Sequence, residues 1–119
     1  MHGPTFMGNA LAMSAGIKSL EIFKRENYMK KISHIEEFSK KLLSGYKNPK
    51  IKEIRIMGGC IAVEANNPAD LTGYQDFAYK NGVFARPFSN IMYAMVPYII
   101  TDTELTQVIE TMKAWWNKQ

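Results

Sequence analysis

The run Ile54-Arg55-Ile56-Met57-Gly58-Gly59-Cys60-Ile61-Ala62-Val63-Glu64-Ala65 decides the fold class. Two short stretches of β-type residues flank a glycine pair, the pattern of an antiparallel hairpin or a bent strand pair. A glycine pair also permits close backbone approach to a ligand, and of the two readings the bend is preferred. Cys60 opens the second strand with no histidine or basic residue beside it, so it reads as a small buried residue and not as a nucleophile. Just upstream, Ile51, Glu53 and Arg55 alternate poorly, and the first strand is expected over 54–57.

Working outward, two helices precede the hairpin. Residues 10–25 form the first, with Asn9 as its N-cap. Its first half, Ala10-Leu11-Ala12-Met13-Ser14-Ala15-Gly16, is rich in small residues, which lets another backbone approach closely. Gly16 costs roughly 1 kcal/mol against alanine inside a helix, so this face is expected to pack on a second domain or another subunit. The second helix covers 28–44, with Asn27 as N-cap and Gly45 as its stop. Tyr28, Ile32, Ile35, Phe38 and Leu42 line one side of it. His34 lies off that line with no ligand-spaced partner and reads as a surface residue, not a metal ligand.

After the hairpin, Asn66-Asn67-Pro68 ends the strand and a third helix is expected over 70–80, with Leu71, Tyr74, Phe77 and Ala78 inward. Residues 83–86 read as a short strand that ends, or lies on an edge, at Pro87. Residues 91–96 make the next strand. The last helix starts at a capping box, Thr101 with Glu104. It carries Leu105, Val108, Ile109, Met112 and Trp116 on one face and Trp115 at the edge of that face. The fold class is therefore α+β: one small, mostly antiparallel sheet with helices on one face.

At 119 residues, with 46% hydrophobic and 22% charged positions, residues 1–119 make a single domain with a real core. No apolar run approaches the ~20 residues of a membrane span, and no secretory signal opens the chain. One cysteine excludes an internal disulfide and suits a reducing, cytoplasmic setting. The net charge of +4 is spread over lysines interleaved with glutamates, which describes solvated helix faces and not a nucleic-acid surface.

Two polar features do not belong to the scaffold. His2-Gly3-Pro4-Thr5-Phe6-Met7-Gly8-Asn9 is a glycine-bearing loop with a hydroxyl that feeds a helix N-terminus. It offers free N–H groups and the positive end of a helix dipole, an anion or phosphate site; an ordinary loop and cap is the alternative. Arg86 follows Val83-Phe84-Ala85 and precedes Pro87-Phe88, which hold the backbone extended. Its planar fork suits a carboxylate, and the alternative is an ion pair with a strand glutamate such as Glu64.

These segments, together with Tyr93-Ala94-Met95-Val96-Pro97-Tyr98-Ile99-Ile100, resemble the C-terminal part of the class III pyridoxal-phosphate aminotransferases over essentially the whole chain. Within that group, Arg86-Pro87-Phe88 and Pro97-Tyr98-Ile99-Ile100 are most similar to the adenosylmethionine–8-amino-7-oxononanoate aminotransferase family. The resemblance implies the small C-terminal domain of a type I pyridoxal-phosphate fold, acting in a homodimer. It implies that Pro4 and Thr5 bind the phosphate of pyridoxal 5'-phosphate in the neighbouring subunit's site. It implies that Arg86 takes the carboxylate of 8-amino-7-oxononanoate, with Tyr93 near it and S-adenosylmethionine as amino donor.

Ala10, Ser89 and Val96 depart from the family's usual Pro, Gly and Pro, but none removes a functional group. None of the lysines lies in a context resembling the family's cofactor-bonding lysine. The chain is therefore expected to be a fragment that holds no catalytic residue and is inactive alone. Another class III ω-aminotransferase, an anion-binding module or a dimerisation module are the competing readings.

Overall fold

The computed structural model describes Gly3 and residues 6–118; Pro4 and Thr5, expected at the phosphate site, lie outside the described residues. In chain order the elements are α1 (Ala10–Arg25), α2 (Tyr28–Leu42), β1 (Ile51–Met57), β2 (Cys60–Ala65), α3 (Tyr74–Lys80), β3 (Pro87–Phe88), β4 (Ile91–Met95) and α4 (Asp102–Lys118). A single 3-10 turn, Pro68–Leu71, precedes α3 among the described residues. The strands form one antiparallel sheet in the order β1-β2-β4-β3, as α+β patterning anticipates.

The hairpin turns on Gly58 and Gly59, since Met57 pairs with Cys60. Gly58 has φ 55°, the left-handed geometry that a two-residue hairpin asks of its first turn residue. The turn is also clamped from outside. Its Gly58 N–H donates to the Glu36 carboxylate of α2 at 2.7 Å. A Cβ at Gly58 would stand 2.9 Å from the Ile32 side chain, and one at Gly59 3.1 Å from the Val96 carbonyl oxygen. The bend is what this glycine pair serves.

Alternation then sorts the sheet into two faces. Ile61, Val63, Ala65, Met92 and Ala94 turn inward and are buried, with Ile54 and Ile56 of β1 packed against them. Against this layer lie Ile35 of α2 and Leu105, Ile109, Met112 and Trp116 of α4. The α4 cap forms as expected. The Thr101 N–H donates to the Glu104 carboxylate at 2.8 Å and the Glu104 N–H to Thr101 Oγ1 at 3.3 Å. Trp115, expected at the edge of the apolar face, is itself buried, and its indole N–H donates to the Asp70 carbonyl at 3.0 Å. His34 is at the surface, its Nε2 2.8 Å from Asp102 Oδ1.

Several local expectations are corrected. β1 begins at Ile51; a register irregularity between Ile51 and Glu53 hides its alternation. The helix expected over 70–80 is broken at Gly73, where φ is 87°, into the 3-10 turn and α3. Asn27 is left-handed (φ 50°) and makes no side-chain cap; its carbonyl accepts the Lys30 N–H at 3.0 Å instead. Residues 83–86 form no ladder, because the Val83 N–H is committed to the Ala78 carbonyl at the end of α3. Pairing begins where the sequence suggested it would stop, at Pro87. The sheet edge has no use for the N–H that proline lacks.

α1 stands apart. Asn9 caps it through Oδ1, which accepts the Ala12 N–H at 3.0 Å, but none of its residues is buried. Phe23, near its C-terminal end, packs on Tyr28 and Tyr98 with ring centroids 5.6 and 6.4 Å apart. The projection explains a radius of gyration of 17.7 Å, against roughly 13–14 Å for a compact chain of this length. No described helix is long and apolar enough to cross a membrane.

Candidate functional site

Arg86 is aimed by its neighbours. In the unpaired stretch before β3, Val83 and Ala85 bury their side chains while Phe84 and Arg86 face outward. β4 does the same with Met92 and Ala94 against the outward Ile91, Tyr93 and Met95. The β3–β4 register pairs Pro87 with Met92 and Phe88 with Ile91; one step further along the same antiparallel register sets Arg86 beside Tyr93 on the open face. Both residues line one groove of about 750 Å³ together with Phe84, Val96, Pro97 and Ile100. The two residues expected to handle substrate are thus brought together by the sheet.

The structural alternative for Arg86 does not hold. Glu64 is engaged by Lys52 Nζ and Arg55 Nη1, each at 2.7 Å. Those two cations hold its carboxyl well below the usual range, at about 2. Among the described residues no carboxylate pairs with Arg86; its exposed fork shares the groove with apolar side chains, Tyr93, Gln107 and Glu104, whose carboxylate is taken by the Thr101 N–H and hydroxyl. A guanidinium fork has the geometry to take a carboxylate through two parallel hydrogen bonds.

Of the opening loop, Gly3 and residues 6–9 are described. Asn9 N–H donates to the Phe6 carbonyl at 3.2 Å, and Gly8 is left-handed at φ 75°. The first turn of α1 has no acidic residue, so nothing there opposes an anion at the positive end of the helix. The Arg86 groove includes no described residue of this loop or of α1.

Sequence reasoning passed over Phe84 and Met95, which are 81% and 76% exposed and form the rim of the groove. Their signal was the alternation of Val83-Phe84-Ala85-Arg86, legible as one face in and one face out even without a ladder. Gln107 of α4 also lines the groove, held by its side-chain donation to the Asn81 carbonyl at 3.0 Å.

Comparison with known proteins adds an independent line. The sequence profile of the family described as Aminotransferase class-III matches residues 1–115. The adenosylmethionine-8-amino-7-oxononanoate aminotransferase of Saccharomyces cerevisiae is 39% identical, over 97% of this chain and 26% of the yeast protein. The protein of the same name from Buchnera aphidicola subsp. Schizaphis graminum is 33% identical, over 95% of this chain and 26% of its own length. The crystal structure of that aminotransferase from Methanocaldococcus jannaschii superposes with a TM-score of 0.83 over 98% of this chain and 30% of that one; at 22% identity it speaks for the fold. The chain spans about a quarter of the length of these curated relatives.

Proposed function

The chain belongs to the class III aminotransferase family, and from that premise we propose that it is the small-domain portion of a pyridoxal-phosphate transaminase of biotin biosynthesis. The reaction is conversion of 8-amino-7-oxononanoate to 7,8-diaminononanoate with S-adenosylmethionine as amino donor. The observation that carries this reading is the Arg86 fork, without a carboxylate partner among the described residues, beside Tyr93 in a groove whose walls are mostly apolar and include Gln107 and Glu104. An aliphatic chain that ends in a carboxylate matches both parts of such a groove. The relatives in yeast and Buchnera bear the corresponding name.

Each residue then has a task. Arg86 holds the acceptor's carboxylate and so sets how far the chain reaches into the site. The Tyr93 hydroxyl, next to it, donates or accepts a hydrogen bond that fixes the acceptor's angle. Pro4 and Thr5 bind the cofactor phosphate in a neighbouring subunit's site, and the N–H groups at the start of α1 add the favourable end of its dipole. The bound cofactor supplies an electron sink for the transferred amino group. The cofactor-bonding lysine belongs to the remaining length of the enzyme, a cytoplasmic homodimer. The unburied small-residue half of α1 is consistent with a covering partner there.

In the full-length enzyme, Arg86→Ala should lower kcat/KM for 8-amino-7-oxononanoate on the order of a hundredfold, the usual loss for one partner of a hydrogen-bonded charge pair. Cofactor affinity, followed by absorbance titration, should stay near wild type. Equal loss of both, or of neither, would refute the assigned role and favour a different acceptor.

A further inference from the structure

The backbone that delivers Arg86 to its groove has few ties of its own. Phe84 and Ala85 make no backbone–backbone hydrogen bond among the described residues, and Pro87, where pairing begins, has no N–H. Burial of Val83 and Ala85 decides which way the stretch faces, but apolar burial is non-directional. The upstream anchor is the turn that closes α3. There the Gly82 N–H donates to the Tyr79 carbonyl at 3.0 Å and the Val83 N–H to the Ala78 carbonyl at 2.9 Å. Both bonds lead back into α3, so they shape the turn without fixing its place against the rest of the domain.

Gln107 fixes that place. From α4, its Nε2 donates to the Asn81 carbonyl at 3.0 Å. Among the described residues this is the one hydrogen bond that joins the 81–85 segment to another element. A carbonyl can only accept, so the amide nitrogen must be the atom that faces Asn81. Gly82 leaves room for it: a Cβ there would stand 3.1 Å from Gln107 Nε2, and the residue is left-handed at φ 73°. Leu105 and Ile109, on either side of Gln107 in sequence, are buried in the core, so the anchor stands on a seated helix. Gln107, Gly82 and Arg86 line the same groove.

We propose that Gln107 is a positioning residue for the acceptor's carboxylate: by holding the turn after α3 against α4, it sets where the Arg86 fork stands in the groove. This rests on the reading of Arg86 as the carboxylate's partner. Gln107 acts through Arg86 and not on the acceptor itself. Two parallel hydrogen bonds to one carboxylate demand a set fork geometry. A displaced fork weakens ground state and transition state alike, so the loss belongs in KM and not in kcat.

The test uses the full-length enzyme. Gln107→Leu and Gln107→Met both remove the donor, and both residues are good helix formers. Each should raise KM for 8-amino-7-oxononanoate about three- to tenfold, the worth of one neutral hydrogen bond, with kcat within about twofold of wild type. Cofactor affinity, by absorbance titration, should match wild type. In an Arg86→Ala background Gln107→Leu should add nothing, because the fork it aims is gone. If both variants keep the wild-type KM while Arg86→Ala is impaired, the proposal fails and the reading of Arg86 stands. If Gln107→Leu multiplies the Arg86→Ala loss by its own full factor, or weakens the cofactor as much as the acceptor, it loosens the fold at large and the proposal fails. If Arg86→Ala uses the acceptor as well as wild type does, the reading of Arg86 falls and this proposal with it.

Discussion

Ser89 sits in the two-residue turn between β3 and β4 with φ 53°. A left-handed backbone costs a residue with a side chain roughly 1–2 kcal/mol, and glycine avoids it while losing about 0.5–1 kcal/mol to its greater freedom when unfolded. Ser89→Gly should therefore raise stability by about 0.5–1 kcal/mol, read as a Tm gain of a few degrees. Glu64 offers a prediction of a different kind. Its carboxyl lies at about 2 in the folded chain against an ordinary 4.5, held there by Lys52 and then Arg55. A depressed carboxyl contributes stability that is complete above the ordinary value and is lost as pH falls through the folded one. Denaturant unfolding at stepped pH should show wild type weakening between 4.5 and about 2, and Glu64→Gln should flatten that part of the slope.

Among the elements, α4 is the one whose start and main apolar stripe are locally specified. Thr101 and Glu104 satisfy one another's N–H groups at its start, and its stripe from Leu105 to Trp116 covers the sheet. Thr101→Ala should cost about 1 kcal/mol, a typical cap loss, measured by urea unfolding with the m-value unchanged. The hairpin is equally local, since glycines at 58 and 59 announce it. α3 is not. Leu71, Tyr74 and Ala78 keep the inward periodicity of one continuous helix, yet Gly73 adopts φ 87° and divides the segment. Periodicity reports which side chains face inward; a break that preserves the facing leaves no trace in it.

The whole molecule divides into a packed α/β layer and a helix that leaves it. α1 exposes Leu11, Met13, Ile17 and Leu20, and Phe23 near its end packs on the Tyr28–Tyr98 aromatic cluster. Few buried contacts mean low-cost local opening. Hydrogen exchange of this chain alone should show α1 amides exchanging fast, while those of α4 and β2 exchange at a rate set by global unfolding. In the full-length protein, protection of α1 should rise.

What could be read from the chain directly was everything carried by neighbours in sequence: both capping motifs that formed, the two-residue hairpin, the inward faces of α2 and α4, and the α+β class itself. The residue types flanking Arg86 also marked it as a polar outlier. Its partners were beyond such reading. Whether Arg86 met Glu64 depended on Lys52 and Arg55 reaching that carboxylate first. Its place beside Tyr93 depended on a ladder that starts at Pro87 and not at Val83. Hydrogen-bond register and ion-pair choice are settled among groups distant in sequence that compete for the same partner, and that competition takes place only once the sheet has assembled.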